Sequence, residues 1–249
     1  DTSIPKPMCT LTYIPKKNGA IFTSNRDEHE SRGNTMFPVV ENYGGKEIVF
    51  PRDPKAGGSW IALANDNTIA ILLNGAFEKH KHTPPYKKSR GLVLLDLFEF
   101  ENISDFNDSY ELIGVEPFTL VYFQESESIG LFEFRWDGDK KYLKKIDASK
   151  AQIWSSVTLY SPKIIQDRKQ WFLEWLAAGN TNAKDMLRFH EFGGKDTLAN
   201  NFRMNGGNGL KTISISQINL LKDTSIFNYK NLVNNSIELF SFQNSTVFE

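Results

Sequence analysis

The 249-residue chain is long enough for one large domain or two small ones, and an apolar fraction of 40%, with 19 Phe, 8 Tyr and 5 Trp, can fill a sizeable core. Lys plus Arg (29) nearly balance Asp plus Glu (30), so the net charge is −1 and nothing suggests a polyanion partner such as nucleic acid. The single cysteine excludes an intrachain disulfide framework and a cysteine-built zinc or iron–sulfur centre, and it fits a reducing compartment, with the cytoplasm as the expected location.

Asp1 to Met8 is polar, contains Pro5 and Pro7, and has no apolar stretch of signal-peptide type. We read residues 1–8 as an extension and residues 9–249 as a single domain, because no repeat, low-complexity tract or linker divides the chain. No apolar run reaches about 18 residues, so no membrane-spanning helix is expected. Cys9–Ile14 and Ala20–Asn25 flank Lys16-Lys17-Asn18-Gly19, whose Asn-Gly predicts a hairpin. His29 to Gly45 reads as a long polar loop, followed by a short strand at Glu47–Phe50. Ser59–Ala64 and Thr68–Leu73 form a second predicted hairpin around Asn65-Asp66-Asn67.

Ser89–Phe100 reads as a helix. Phe118–Gln124 and Ser128–Trp136 read as a hairpin, with Tyr142–Ile146 as a further strand. Ser161 suits an N-cap and Pro162 the first helical position. Ile164, Ile165, Trp171, Phe172, Trp175 and Leu176 follow at helical spacing, and Gly179 can end that helix. Asn182–Phe192 predicts another helix, and Thr212–Leu220, Ile226–Tyr229 and Ile237–Phe242 return to strand. Strands joined by short turns imply antiparallel sheets. Helices gathered in blocks imply a layered α+β domain, with two sheets inside and helices outside.

Cys9 carries the sharpest chemical signal. Were the preceding residues removed, it would hold a thiol (reference pKa about 8.5) and a free α-amine (about 7.7–8.0) on one residue. That amine can take the thiol proton near neutral pH without a histidine. Antiparallel pairing about the first turn brings Arg26 and Asp27 near Cys9. The guanidinium would favour the thiolate, and the carboxylate would orient the amine. Asn74 ends an apolar strand, where its amide can donate to a developing oxyanion. His80-Lys81-His82 reads as an exposed loop rather than a metal site, and Asn205–Gly209 as a flexible hairpin or lid.

Met8-Cys9-Thr10, Ser24-Asn25-Arg26-Asp27-Glu28 and Pro51-Arg52-Asp53 with Gly57-Gly58-Ser59-Trp60 together resemble the NRDE family, which includes the Transport and Golgi organisation protein 2 proteins. Leu73-Asn74-Gly75 and Trp154-Ser155-Ser156 with Ser161-Pro162 fit its later segments. That family is similar in turn to the N-terminal nucleophile hydrolases of the penicillin V acylase and bile salt hydrolase branch. The resemblance implies a four-layer αββα sandwich. It implies a cysteine amidohydrolase that cleaves a non-peptide C–N amide bond of a small molecule. Cys9 would be the nucleophile, Arg26 and Asp27 its polar partners, and Asn74 the oxyanion donor. Asn25, Glu28, Trp60 and Ser156 are expected around the substrate. Glu28 is a substitute for Asp27, because the acylases place their aspartate beyond the arginine. Ser156 stands where they use a second asparagine, and Lys211 is the nearest cation to their late arginine. Some relatives are implicated in haem mobilisation and lipid homeostasis. The alternative is therefore a non-enzymatic carrier on the same fold, with haem bound through Cys9, His29 or His80; otherwise no cofactor or metal is expected.

Overall fold

The computed structural model describes residues 8–29, 37–125, 130–158, 160–195, 197–207 and 209–243, and the structural statements below concern these. Strand β1 (Met8–Lys16) turns through two residues into β2 (Gly19–His29), as the Asn-Gly signal implies. The turn ends on Gly19, with φ +145°, and a Cβ there would lie 2.0 Å from the Leu220 carbonyl oxygen. Only glycine meets both demands. The register pairs Cys9 with Arg26 and Met8 with Asp27.

Strands β3 (Pro38–Tyr43) and β4 (Lys46–Pro51) pair around Gly44-Gly45. The expected His29–Gly45 loop therefore contains a strand. Its polar composition hides Val39 and Tyr43, which pack inward at alternate positions, and the glycine pair is the hairpin turn. Strands β5 (Ile61–Ala64) and β6 (Ile69–Asn74) are buried on both faces. Helix α1 (Arg90–Asp96) ends in a 3₁₀ turn at Leu97–Glu99, and a second short helix, α2 (Ile103–Ser109), follows. Helix α2 is too short to show an apolar period in the sequence, although Asn102 caps it by accepting from the Ser104 and Asp105 amides.

Strands β7 (Phe118–Gln124), β8 (Gly130–Trp136) and β9 (Lys141–Ile146) complete a meander, and β10 (Gln152–Ser155) crosses to the other sheet. Helix α3 (Pro162–Ala177) starts at the Ser161 cap, and α4 (Ala183–Phe192) at a reciprocal Asn182–Asp185 capping box. Strands β11 (Leu210–Leu220), β12 (Thr224–Asn231) and β13 (Ile237–Gln243) close the chain. The Asn205–Gly209 segment falls partly outside the described residues.

One sheet runs β10-β1-β2-β11-β12-β13, the other β3-β4-β5-β6-β7-β8-β9, and every pairing is antiparallel. Leu11, Tyr13, Phe22, Ile61, Ile71, Leu73, Val121 and Phe227 fill the space between the sheets. Val93, Leu94, Leu97 and Phe106 cover the outer face of the second sheet, over the small Ala62, Ala64 and Ala70. Phe172, Met186 and Phe189 cover the outer face of the first, over Ile14 and Ile21. These are the four layers of the expected αββα sandwich. No helix among the described residues is long and apolar enough to cross a membrane.

Candidate active site

Side chains alternate across a strand, so the first sheet sorts the β1–β2 residues into two sets. Cys9 belongs to the inner set, with Leu11, Tyr13 and Phe22. Arg26 lies directly opposite Cys9 and shares its face. Its guanidinium donates to Asp53 Oδ2 at 2.5 Å, lies 3.4 Å from Glu28 Oε2, and stacks 3.8 Å above the Trp60 ring. Asp53 is itself fixed, because Oδ1 accepts the Lys55 and Ala56 amides at 2.9 Å. That turn is the Pro51-Arg52-Asp53 to Gly57-Gly58 motif. A Cβ on Gly58 would lie 2.2 Å from the Gly91 carbonyl carbon, so glycine lets the turn touch the start of α1.

A cavity of about 100 Å³ results, lined by Cys9, Arg26, Asp53, Trp60, Asn74 and Arg90 among others. The structure thus brings together Cys9, Arg26, Trp60 and Asn74, with Glu28 behind Arg26. Ser156 does not line this cavity but supports it. Its amide donates to the Cys9 carbonyl at 3.0 Å, and its hydroxyl to the Asn74 carbonyl at 2.7 Å.

Asn25 and Asp27 belong to the other set, and here the expected geometry does not occur. Neighbours in a strand point to opposite faces, so Asp27 turns away from the thiol beside Arg26. It accepts hydrogen bonds from Tyr160 at 2.9 Å and Thr212 at 2.5 Å. Asn25 donates to the carbonyls of His190 (3.0 Å) and Phe202 (2.8 Å), and its Oδ1 lies 2.8 Å from His190 Nδ1. With Oδ1 as acceptor, His190 carries its proton on Nδ1, and Nε2 accepts from the Thr12 hydroxyl at 2.8 Å. Arg168 is fully buried in the same layer. It donates to Thr10 Oγ1 (2.5 Å) and to the Asn200 and Asn201 carbonyls (3.2 and 2.7 Å), and covers the Tyr160 ring at 3.8 Å. The tetrapeptide Asn25-Arg26-Asp27-Glu28 is therefore split, with Arg26 and Glu28 serving the cavity and Asn25 and Asp27 the helix layer.

Electrostatics follow from this burial. Burial, then Asp27 acting through space, raises the Cys9 thiol well above its ordinary range, while Arg26 and Arg90 oppose the rise. A peptide-linked Cys9 is therefore a protonated thiol at neutral pH. Burial pushes Asp27 up to about 6 against the pull of Arg168, Thr212 and Tyr160. Burial, assisted by Arg168, pushes His190 down to about 3.

The two groups give opposite pH dependences. Asp27 binds its proton more tightly in the folded chain, so its contribution to stability falls as pH rises from about 4 to about 6. His190 binds its proton less tightly, so stability is lost as pH falls from 6.5 toward 3. Asp27→Asn leaves only the second. Urea unfolding between pH 7 and 4 is expected to show a steeper acid loss in this variant than in the parent, by about 2–3 kcal/mol. Parallel pH profiles would refute the assignment.

Sequence reasoning passed over Asp53, Arg90, Arg168 and His190. Asp53 sat inside a quoted motif, and its spacing to Gly57-Gly58 is a turn signal. The others carry no local signal, because their partners are distant in sequence. His80 and His82 are not a bare loop: ring nitrogens of both lie 3.0 Å from Glu116 Oε1.

The sequence model of the Transport and Golgi organisation 2 family matches residues 8–223. The chain belongs to that family. No curated protein sequence matches it. Among solved structures, this Transport and Golgi organisation 2 chain is similar to an N-acylethanolamine-hydrolyzing acid amidase ortholog of Caenorhabditis elegans, with TM-score 0.56 and 12% identity over 84% of this chain and 92% of that one. It is similar as well to a mutant conjugated bile acid hydrolase of Clostridium perfringens, with TM-score 0.53 and 12% identity over 94% and 92%. At such identities the likeness is one of fold, that of the N-terminal nucleophile hydrolases.

Proposed function

We propose that this chain, once its amino terminus is Cys9, is a cysteine amidohydrolase that cleaves a C–N amide bond of a small molecule. The observation that carries the reading is the single cavity onto which Cys9, Arg26 and Asn74 converge. The α-amine takes the thiol proton, and the thiolate attacks the amide carbonyl. Asn74 donates to the oxyanion. The C–N bond breaks as the α-ammonium returns its proton to the leaving nitrogen. Water then attacks the thioester, releasing the acid and restoring the thiol. Arg26 has its charge held in place by Asp53, Glu28 and Trp60, and steadies the thiolate in a setting that otherwise disfavours it.

Activity-based trapping tests this. An amide-mimicking electrophile should add its acyl mass to Cys9 alone, and Cys9→Ala should lose both adduct and turnover while keeping the fold. Asn74→Ala should lower kcat by about 10²–10³, the usual effect of removing one oxyanion donor. Turnover surviving in Cys9→Ala would end the proposal.

A further inference from the structure

Cys9 and Asn74 stand on different sheets: Cys9 lies in β1 of the first, and Asn74 ends β6 of the second. Between them the sheets meet through apolar side chains such as Leu11, Ile61 and Leu73. Apolar packing is non-directional, so a hydrogen bond across the gap sets the offset of two strand ends more sharply. Ser156 supplies that bond. It follows β10 directly, and its amide donates to the Cys9 carbonyl at 3.0 Å, one step beyond the Thr10–Ser155 pair of the ladder. Its hydroxyl crosses to the second sheet and donates to the Asn74 carbonyl at 2.7 Å. One residue therefore holds the backbone of both the nucleophile and the oxyanion donor.

The local geometry explains why a side chain is needed there. A trans peptide sets each C=O opposite the next N–H, and the Gly75 amide donates to the Pro117 carbonyl, beside β7. The Asn74 carbonyl thus points away from β7, to the side where the β5–β6 register has already ended at Ile61–Ile71. Ser156 spends its one hydroxyl hydrogen on that carbonyl, so Thr158, whose Oγ1 lies 3.1 Å away, is the donor to Ser156. Both hydroxyl residues are buried. Gly75, with φ +83°, lets the two segments touch: a Cβ there would lie 2.6 Å from Val157 Cγ2 and 2.8 Å from Thr158 Cγ2.

We propose that Ser156 is a positioning residue, a strut that holds the Asn74 amide in reach of the oxygen of a carbonyl under attack by Cys9. It acts through the Asn74 backbone and does not touch substrate. The inference deepens the amidohydrolase reading and rests on its assignment of Asn74 as oxyanion donor. A misplacement of about 1 Å between such groups costs on the order of 10² in rate.

Two labels of the Cys9 sulfur, applied to the chain that begins at Cys9 and read by mass, separate this role from a general loss of structure. With p-nitrophenyl acetate an S–C bond forms through a tetrahedral oxyanion, the ester C–O bond breaks, and p-nitrophenolate leaves. Iodoacetamide alkylates the same sulfur by displacing iodide, with no oxyanion. Ser156→Ala should slow acetylation at least about tenfold and leave alkylation within about twofold of the parent. Asn74→Ala should slow acetylation too, and the double variant should be no slower than Asn74→Ala, because Ser156 acts through Asn74. Thr158→Val, which keeps the shape and removes the donor to Ser156, should slow acetylation in the same direction, and it carries the test if Ser156→Ala does not fold. Acetylation at the parent rate in Ser156→Ala or in Thr158→Val, both labels slowed alike, or losses that multiply in the double variant would each overturn the proposal. A loss in Asn74→Ala without one in Ser156→Ala sinks the strut alone. No loss in Asn74→Ala sinks the oxyanion role in the hydrolase reading as well.

Discussion

Removal of residues 1–8 is expected to raise amide hydrolysis at least a hundredfold over the chain that carries them. With Met8 joined to Cys9, the cysteine nitrogen is an amide and cannot act as a base. The thiol is buried, and Asp27 and Glu28 add to the cost of ionising it. Arg26 and Arg90 pull the other way but do not reverse the direction. Freeing the α-amine changes two things together. It supplies a base with a reference pKa of about 7.7–8.0. Once protonated, it also places a positive charge beside the thiolate. General-base assistance of this kind is commonly worth about 10²–10⁴ in rate. The measurement is kcat/KM for the two chains, with intact mass confirming each amino terminus. Equal rates would show that the amine is not the base.

Loss of Arg168 should be the most damaging single change to stability. The side chain is wholly buried, yet each of its three nitrogens donates, to Thr10, Asn200 and Asn201. Truncation to Ala leaves two carbonyls and a hydroxyl without this donor, uncovers the Tyr160 ring, and removes the cation whose field offsets Asp27. Breaking a buried charge arrangement from one side typically costs about 3–5 kcal/mol. For a domain of this size that corresponds to a fall in Tm on the order of 10 °C. Arg168→Lys should recover little, because a single ammonium cannot reproduce a three-way planar fork. Chemical unfolding of both variants checks this, and a loss under about 1 kcal/mol in Arg168→Ala would contradict it. Thr10 follows Cys9 directly, so the surviving fraction should show reduced kcat as well.

The β1–β2 pairing illustrates how much of the site was legible beforehand. An Asn-Gly turn sets the register, and the register puts Arg26 across from Cys9. Both steps needed only the chain itself. The same alternation implies that Asp27 does not share a face with Arg26, so its carboxylate accepts from Tyr160 and Thr212 while its charge still acts on the thiol through space. Glu28, two residues from Arg26, meets the parity condition. Helix α3 was legible from Ser161-Pro162 and its apolar spacing. The short β10 and α2 were not, because four and seven residues are too few to show a period.

Local chemistry alone determined the candidate cysteine, the hairpin that carries it, the antiparallel layering and the family motif, because turn propensity and side-chain periodicity act over a few residues. Tertiary structure alone decided that Asp53 clamps Arg26, that Arg90 reaches the cavity wall with Glu116 against it, and that Arg168 and His190 tie the helix layer to the back of β1. Those contacts join residues 26 to 178 positions apart. At such separations only the folded chain brings the charges close enough, and far enough from water, for their interactions to matter.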